Sequence, residues 1–131
     1  MTKAEIRIFE GLEALSWAAA TRLEEQARIK AIEKKPFSVA VSGGSTPKLL
    51  FELLANPGFQ GHLRWSNLQL FQVDERCVPP TDKDSNYRMT NEAMLQHVPL
   101  PASQIYRMEG ELDPEVAAMR YEAAIRTAFR A

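Results

Sequence analysis

Short apolar runs alternate with long segments of helical spacing along this chain, and this alternation limits the folds open to it more than any other feature. The run from Phe37 to Val41 is apolar at four of its five positions and lies between two such segments. A run of this kind is typical of a strand buried on both faces of a parallel sheet. Because strands that alternate with helices form βαβ units, we predict an α/β fold with a doubly wound, mostly parallel sheet and helices on both faces.

The segment from Glu10 to Lys34 is predicted to form a long amphipathic helix. Its apolar residues recur at steps of three and four, at Leu12, Leu15, Ala19, Leu23 and Ala27. Pro36 ends this helix, because proline has no backbone N–H to donate. A second helix is expected to begin with Thr46 as its N-cap and Pro47 at its first position.

Other apolar runs predict three more strands. A short edge strand is expected at Ile6 to Phe9, a buried strand at Leu68 to Val73 and a last strand at Gln104 to Arg107. Pro79 and Pro80 keep the stretch that follows the second of these irregular.

Two more helices are predicted from their capping residues. Asp84 or Ser85 caps a helix that extends to about His97, and Asp113 with Pro114 begins a last helix. In sheets of this class, ligands bind beyond the carboxyl ends of the parallel strands, so the functional residues are expected there.

Composition excludes several classes of function. The chain has 131 residues, the size of a single α/β domain spanning 1–131. Its 16 basic and 17 acidic residues leave a net charge of −1, so it lacks the basic surface of a nucleic-acid-binding protein. One cysteine and two histidines form neither an internal disulfide nor a zinc pattern. No apolar stretch approaches the roughly 18 residues of a membrane span, so we expect a cytoplasmic protein; its oligomeric state is not predicted.

A loop of small polar residues, Ser42-Gly43-Gly44-Ser45-Thr46, joins the first buried strand to a helix. Backbone N–H groups and the positive end of the helix dipole then point to one place, which suits a phosphate. The glycines allow close approach of the anion, and the hydroxyls add donors. An ordinary tight turn before a capped helix is the competing interpretation. The loop matches neither the P-loop nor the dinucleotide-binding pattern.

Two carboxylates and a guanidinium, Asp74, Glu75 and Arg76, follow the second buried strand. Arg76 is suited to bidentate phosphate binding, and Asp74 could orient a sugar hydroxyl or transfer a proton. A structural ion pair is the competing interpretation. In the next helix, Arg88 offers a second positive group and Asn86 a polar contact.

The remaining reactive side chains are interpreted as structural. His62 and His97 have no partner at catalytic spacing, and a histidine near a helix C-terminus interacts favourably with the dipole. Cys77 has no histidine nearby to activate its thiol, so we regard it as incidental.

Three linked motifs closely resemble the 6-phosphogluconolactonase family in order and spacing. They are Val39 to Pro47, Asp74 to Pro80 and Asp84 to Met89, and the match extends along nearly all of the chain. The resemblance implies a cytosolic enzyme of the oxidative pentose phosphate pathway. That enzyme hydrolyses a phosphorylated sugar lactone, 6-phosphogluconolactone, to 6-phosphogluconate without a metal or organic cofactor. It also implies the fold shared by glucosamine-6-phosphate deaminase and ribose-5-phosphate isomerase.

The resemblance assigns roles to individual residues. The family's phosphate loop falls on Ser42 to Thr46, and its strand-end acid, the expected catalytic residue, falls on Asp74. Arg76 corresponds to the arginine that contacts the substrate. Asn86 and Arg88 match the next motif and are expected to help at the phosphate end.

One family motif is missing from this sequence. Family members continue into a second half with a Gly-x-Gly-x-Asp-Gly-His-x-Ser-like motif, whose histidine is taken to be the general base, and Asp-Gly-His does not occur here. We therefore expect the chain to be the N-terminal part of a longer lactonase domain, incomplete at its C-terminus, with a natural short relative as the alternative. A sugar-phosphate isomerase or deaminase and a non-catalytic phosphosugar-binding module remain as competing functions.

Overall fold

A computed structural model describes residues 2–130 of the chain, and the described residues form five α-helices and three strands. The helices are α1 (Leu12–Ile32), α2 (Ser45–Ala55), α3 (Pro57–Gln60), α4 (Asn86–Ala93) and α5 (Pro114–Ala128). The strands are β1 (Phe37–Val41), β2 (Leu68–Gln72) and β3 (Ile105–Tyr106). Short 3₁₀ turns stand at Trp65–Asn67, Leu95–His97 and Ala102–Gln104. No helix within residues 2–130 is long and apolar enough to cross a membrane.

The three strands form one parallel sheet in the order β1-β2-β3. Val39 of β1 lies opposite Leu70 of β2, and Leu70 lies opposite Ile105 of β3. Both crossovers advance in the same direction across the sheet, so right-handed connections place α2 and α4 against the same face. The α/β prediction with a parallel sheet is confirmed.

The main core lies on that face of the sheet. Leu68 and Leu70 of β2 are buried there, in one cluster with residues of α1, α2 and α4. Side chains alternate along a strand, so Phe71 points to the opposite face. There it stacks on Tyr106 and on Phe129, the residue that follows α5. Helices therefore cover both faces, as predicted.

The long first helix packs through small residues and not through the leucines at its start. Ser16, Ala20 and Ala27 are its buried residues, which brings α1 close to α2. Leu12 and Leu15 remain 41% exposed and border an apolar cleft of about 560 Å³ that also reaches β1 and α2. The predicted helix is confirmed, whereas the predicted buried stripe is only partly correct because Ser16 and Ala20 take the closest contacts.

One predicted strand and one predicted helix cap are wrong. Residues 6–9 form no strand, because no strand of the described chain pairs with them, and Ile6 and Ile8 are left 84% and 91% exposed. The second helix begins at Ser45, so Gly44, and not Thr46, is its N-cap. Pro47 consequently stands at the third helical position.

The other boundaries differ from prediction by a few residues. Ser85 is the N-cap of α4, as expected, but the regular helix ends at Ala93 because Met94 leaves the helical conformation (φ −140°, ψ −58°). The chain then continues as a 3₁₀ turn to His97. Strand β2 ends at Gln72.

Candidate functional site

The phosphate-loop candidate ends in a helix whose N-terminus is open. Gly44 adopts φ +101°, a backbone conformation that residues other than glycine rarely adopt, and this conformation turns the chain from β1 into α2. No side chain of the described residues caps α2, and Ser45 and Thr46 are exposed. The first amides of α2 and the positive end of its dipole therefore face outward and can receive an anion.

The neighbouring N-terminus, that of α4, is closed by the protein's own anion. The Glu75 carboxylate accepts the backbone N–H of Asn86 at 2.7 Å and that of Tyr87 at 3.0 Å. The Ser85 hydroxyl accepts the N–H of Arg88 at 3.2 Å. All three of the first amides of α4 thus have partners, whereas those of α2 do not have side-chain partners.

Glu75 is the most strongly bound carboxylate at this edge of the sheet. Besides the two α4 amides, it accepts hydrogen bonds from the Arg76 N–H, the Ser85 hydroxyl and the Gln72 side-chain amide. Burial alone would raise its pKa, but the hydrogen bonds from the backbone and from Ser85 outweigh burial and hold the pKa of Glu75 below its usual value. No separate role was predicted for Glu75 from the sequence, although its position between a buried strand and a serine-capped helix was a signal for one.

Asn86 connects the two strand ends. Its side-chain Nδ2 donates to the Asp74 carboxylate oxygen Oδ1 at 3.3 Å and to the Asp74 backbone carbonyl at 3.4 Å. Its Oδ1 and Cγ occupy the space that a β-carbon on Gly43 would need. The structure therefore brings Gly43, Asp74 and Asn86 into direct contact, with the open amides of α2 next along the chain.

The two arginines of the predicted site line different clefts. Arg76 has no side-chain hydrogen bond or ion pair within residues 2–130, so the structural ion pair considered from the sequence is not formed there. It lines a cleft of about 480 Å³ between the β2–α4 loop and α5. Arg88 instead contacts Glu92 at 2.8 Å and the Thr81 carbonyl at 3.1 Å, beside Lys48.

The histidines and the cysteine lie apart from the Gly43–Asp74–Asn86 contact. His97 Nε2 is 3.0 Å from the Glu92 carbonyl, and the His62 ring meets the edge of Phe59. Cys77 is exposed and lines the cleft beside α5. In the part of the chain that is described, no group of three or more His, Cys, Asp or Glu side chains is arranged to hold a metal.

Tyr121 is a further structural contributor that the sequence did not reveal. Strand β3 pairs with β2 only as far as Phe71, so Gln72 has no partner residue on β3. The Tyr121 hydroxyl provides the missing hydrogen bonds: it accepts the Gln72 N–H at 2.9 Å and donates to the Gln72 carbonyl at 2.7 Å. The Gln72 side chain also accepts the Met108 N–H. These contacts hold α5 against the end of β2, two residues before Asp74.

Comparisons with known proteins agree on one family. Residues 10–131 match the family described as "Glucosamine-6-phosphate isomerases/6-phosphogluconolactonase". A Haemophilus influenzae protein named 6-phosphogluconolactonase is 40% identical over 87 residues, which are 66% of this chain and 38% of that protein. A protein of Oryza sativa named probable 6-phosphogluconolactonase 3, chloroplastic, is 38% identical over 119 residues, or 91% of this chain and 36% of that protein.

A solved structure shows the same relationship in three dimensions. The 6-phosphogluconolactonase of Trypanosoma cruzi superimposes on 96% of this chain with a TM-score of 0.82 and 27% sequence identity. The superposition covers 51% of the Trypanosoma chain. The present chain thus spans about half of that structure and less than two-fifths of the two relatives above.

Proposed function

The chain belongs to the glucosamine-6-phosphate isomerase/6-phosphogluconolactonase family, and from that premise we propose that it carries the phosphate-binding half of a 6-phosphogluconolactonase site. One observation carries the proposal: the open N-terminus of α2 is joined to Asp74 through the contact of Asn86 with Gly43. A sugar phosphate could then bind with its phosphate at this helix end and its reacting ring next to the Asp74 carboxylate.

In this proposal, the loop from Ser42 to Thr46 binds the substrate phosphate through the free N–H groups and hydroxyls at the start of α2. Arg76, which is not paired within the described residues, adds a charged contact from the β2–α4 loop. Arg88 forms an exposed ion pair with Glu92. Such pairs contribute little to stability, so Arg88 can leave Glu92 and bind a phosphate at little cost in free energy. The remote phosphate then orients the reacting ring.

The proposed chemistry is hydrolysis of the lactone ester. The oxygen of water forms a bond to the lactone carbonyl carbon, the bond from that carbon to the ring oxygen breaks, and the ring oxygen leaves as a hydroxyl after taking up a proton. Asp74 is the proposed catalytic residue of this chain; it accepts a proton or orients a sugar hydroxyl, and Asn86 fixes one of its oxygens. Such an enzyme serves the oxidative pentose phosphate pathway, and we place it in the cytoplasm.

Binding to the chain itself tests the proposal. In isothermal titration calorimetry, the chain should bind 6-phosphogluconate more tightly than gluconate, which lacks the phosphate. Absence of binding by a chain that circular dichroism shows to be folded would overturn the proposal.

A rate measurement separates the alternatives. Lactone hydrolysis above the spontaneous rate, lost in Asp74→Asn, supports the lactonase. Turnover of glucosamine 6-phosphate supports the isomerase or deaminase, whose name the matched family also carries. Binding without either turnover fits the phosphate-binding half of a lactonase site, because the family's Asp-Gly-His motif does not occur in this chain, and it fits a phosphosugar-binding module equally.

A further inference from the structure

We propose that Glu75 is a positioning residue of this site. It holds Asn86 in place, and Asn86 in turn fixes the position of Asp74 relative to the phosphate loop. The proposal rests on the proposed function, since it concerns the same phosphosugar site. It assigns to Glu75 no contact with the substrate: Glu75 acts through Asn86.

The first step is the anchoring of Asn86. Its backbone N–H donates to Glu75 Oε1 at 2.7 Å, the shortest of the hydrogen bonds that Glu75 accepts. The same oxygen accepts the N–H of Arg76 at 2.8 Å. One carboxylate oxygen therefore ties the residue that follows Glu75 directly to the first residue of α4.

The second step is the other carboxylate oxygen. Glu75 Oε2 accepts from the Ser85 hydroxyl at 2.9 Å, the Tyr87 N–H at 3.0 Å and Gln72 Nε2 at 3.3 Å. All five groups around the carboxylate are donors, and they come from β2, from the loop and from α4. Glu75 thus fixes the start of α4 relative to the end of β2.

The third step leads from Asn86 to the site. Its side chain binds Asp74 on one side and fills the space above Gly43 on the other. A shift of the Asn86 backbone would therefore change the position of its side chain relative to Asp74 and to Gly43 together.

The side-chain chemistry of Glu75 suits this role in a way that close substitutes do not. Glutamine would replace one acceptor oxygen with an NH₂ group that faces donors only. Aspartate would keep the charge that the α4 dipole favours, but its carboxylate is one methylene shorter and cannot keep the same reach to α4. A plain charge effect on the helix and a positioning effect therefore predict different results for Glu75→Asp.

The test compares Glu75→Gln, Glu75→Asp and Asn86→Ala by titration calorimetry with 6-phosphogluconate. Loss of one hydrogen-bonded contact changes an equilibrium about fivefold, so we expect each variant to bind about fivefold or more weakly. The double variant Glu75→Gln/Asn86→Ala should bind no more weakly than Asn86→Ala alone, because Glu75 acts through Asn86. Asp113→Ala is the control: the Asp113 carboxylate caps α5 by accepting the N–H groups of Glu115 and Val116 and has no hydrogen bond to Glu75, Asn86 or Asp74, so this variant should keep the affinity of the unmodified chain.

A spectroscopic readout in the absence of ligand completes the test. In ¹⁵N NMR spectra, the side-chain NH₂ resonances of Asn86 should move in Glu75→Gln and Glu75→Asp and stay in place in Asp113→Ala. Full affinity in Glu75→Asp, additive losses in the double variant, or unmoved Asn86 resonances would each overturn the positioning role. If the unmodified chain binds no 6-phosphogluconate, the proposed function fails, and the resonances of Asn86 still decide whether Glu75 positions it.

Discussion

The side chain of Asn86 lies where a β-carbon on Gly43 would stand, so the first residue of α4 and the loop after β1 approach each other more closely than any side chain at position 43 would allow. This contact spans two strand ends of a parallel sheet, the place where ligands bind in folds of this class. Glycine at position 43 is therefore required by a tertiary contact and not by its own backbone conformation, since its φ is not positive.

Gly43→Ala should destabilise the fold by overpacking, at a cost of about 1–3 kcal/mol. Asn86→Ala in the same chain should restore most of that loss, because it removes Oδ1 and Cγ, the two atoms closest to the new methyl group, and leaves only the β-carbon at 3.0 Å. Urea unfolding followed by circular dichroism measures both. Gly61→Ala is the control and should change little, because its φ of −66° suits alanine and nothing lies within 4 Å of the added carbon. Equal effects at positions 43 and 61 would contradict the contact.

Gly44→Ala should also destabilise the fold, by about 1–3 kcal/mol, but for a different reason. Its φ of +101° is a backbone conformation that alanine disfavours, although an added β-carbon would have nothing within 4 Å. Asn86→Ala should therefore not rescue Gly44→Ala. The same unfolding measurement decides, and rescue at position 44 would show that the loop is limited by space instead.

The acid sensitivity of the protein should depend on Glu75. Its pKa is lower in the folded chain than the ordinary value of 4.5, so it contributes stability above that value, and this stability is lost as pH falls through the folded pKa. Glu75→Gln should be less stable than the unmodified chain at pH 7 and should lose less stability between pH 6 and pH 3. Urea midpoints at a series of pH values measure this. Parallel pH profiles for the two proteins would contradict it.

Tyr121→Phe should destabilise the fold by about 1–3 kcal/mol, because it leaves the N–H and the carbonyl of the buried Gln72 without their partner. Burial raises the pKa of Tyr121, which keeps its hydroxyl protonated and able to donate. Tyr106→Phe is the matched control: the Tyr106 ring stacks on Phe71, and its hydroxyl has no hydrogen bond within the described chain. Thermal unfolding should separate the two variants, and similar losses would show that Tyr121 acts only through its ring.

Arg76→Ala should weaken binding of 6-phosphogluconate by roughly 10- to 100-fold, the range for losing a charged contact of about 1.5–3 kcal/mol. Binding of gluconate should change much less, because that ligand has no phosphate for the guanidinium to contact. Titration calorimetry with both ligands measures the difference. Equal losses would mean that Arg76 supports the fold or the reacting ring and not the phosphate.

Sequence alone determined the elements whose signals lie within a few residues of one another. The apolar run Phe37–Val41 and the alternation of strands with helices predicted the parallel sheet correctly. Asp113 and one of the two predicted caps of α4, Ser85, begin their helices. Such features depend on side-chain spacing and on donors near the helix ends, both of which are local. The three motifs likewise indicated the family.

Tertiary structure alone decided which of these residues meet. The Ile6–Phe9 pattern is typical of a strand, yet a strand exists only beside a partner, and the described chain provides none. Arg88, taken as a phosphate ligand, is held by Glu92, whereas Glu75, to which no role was assigned, organises the start of α4. The contact of Asn86 with Gly43 joins residues 43 positions apart. This contact forms because the parallel sheet brings the carboxyl ends of β1 and β2 to the same edge. No pattern within a few residues of Gly43 or Asn86 predicts that the two residues meet.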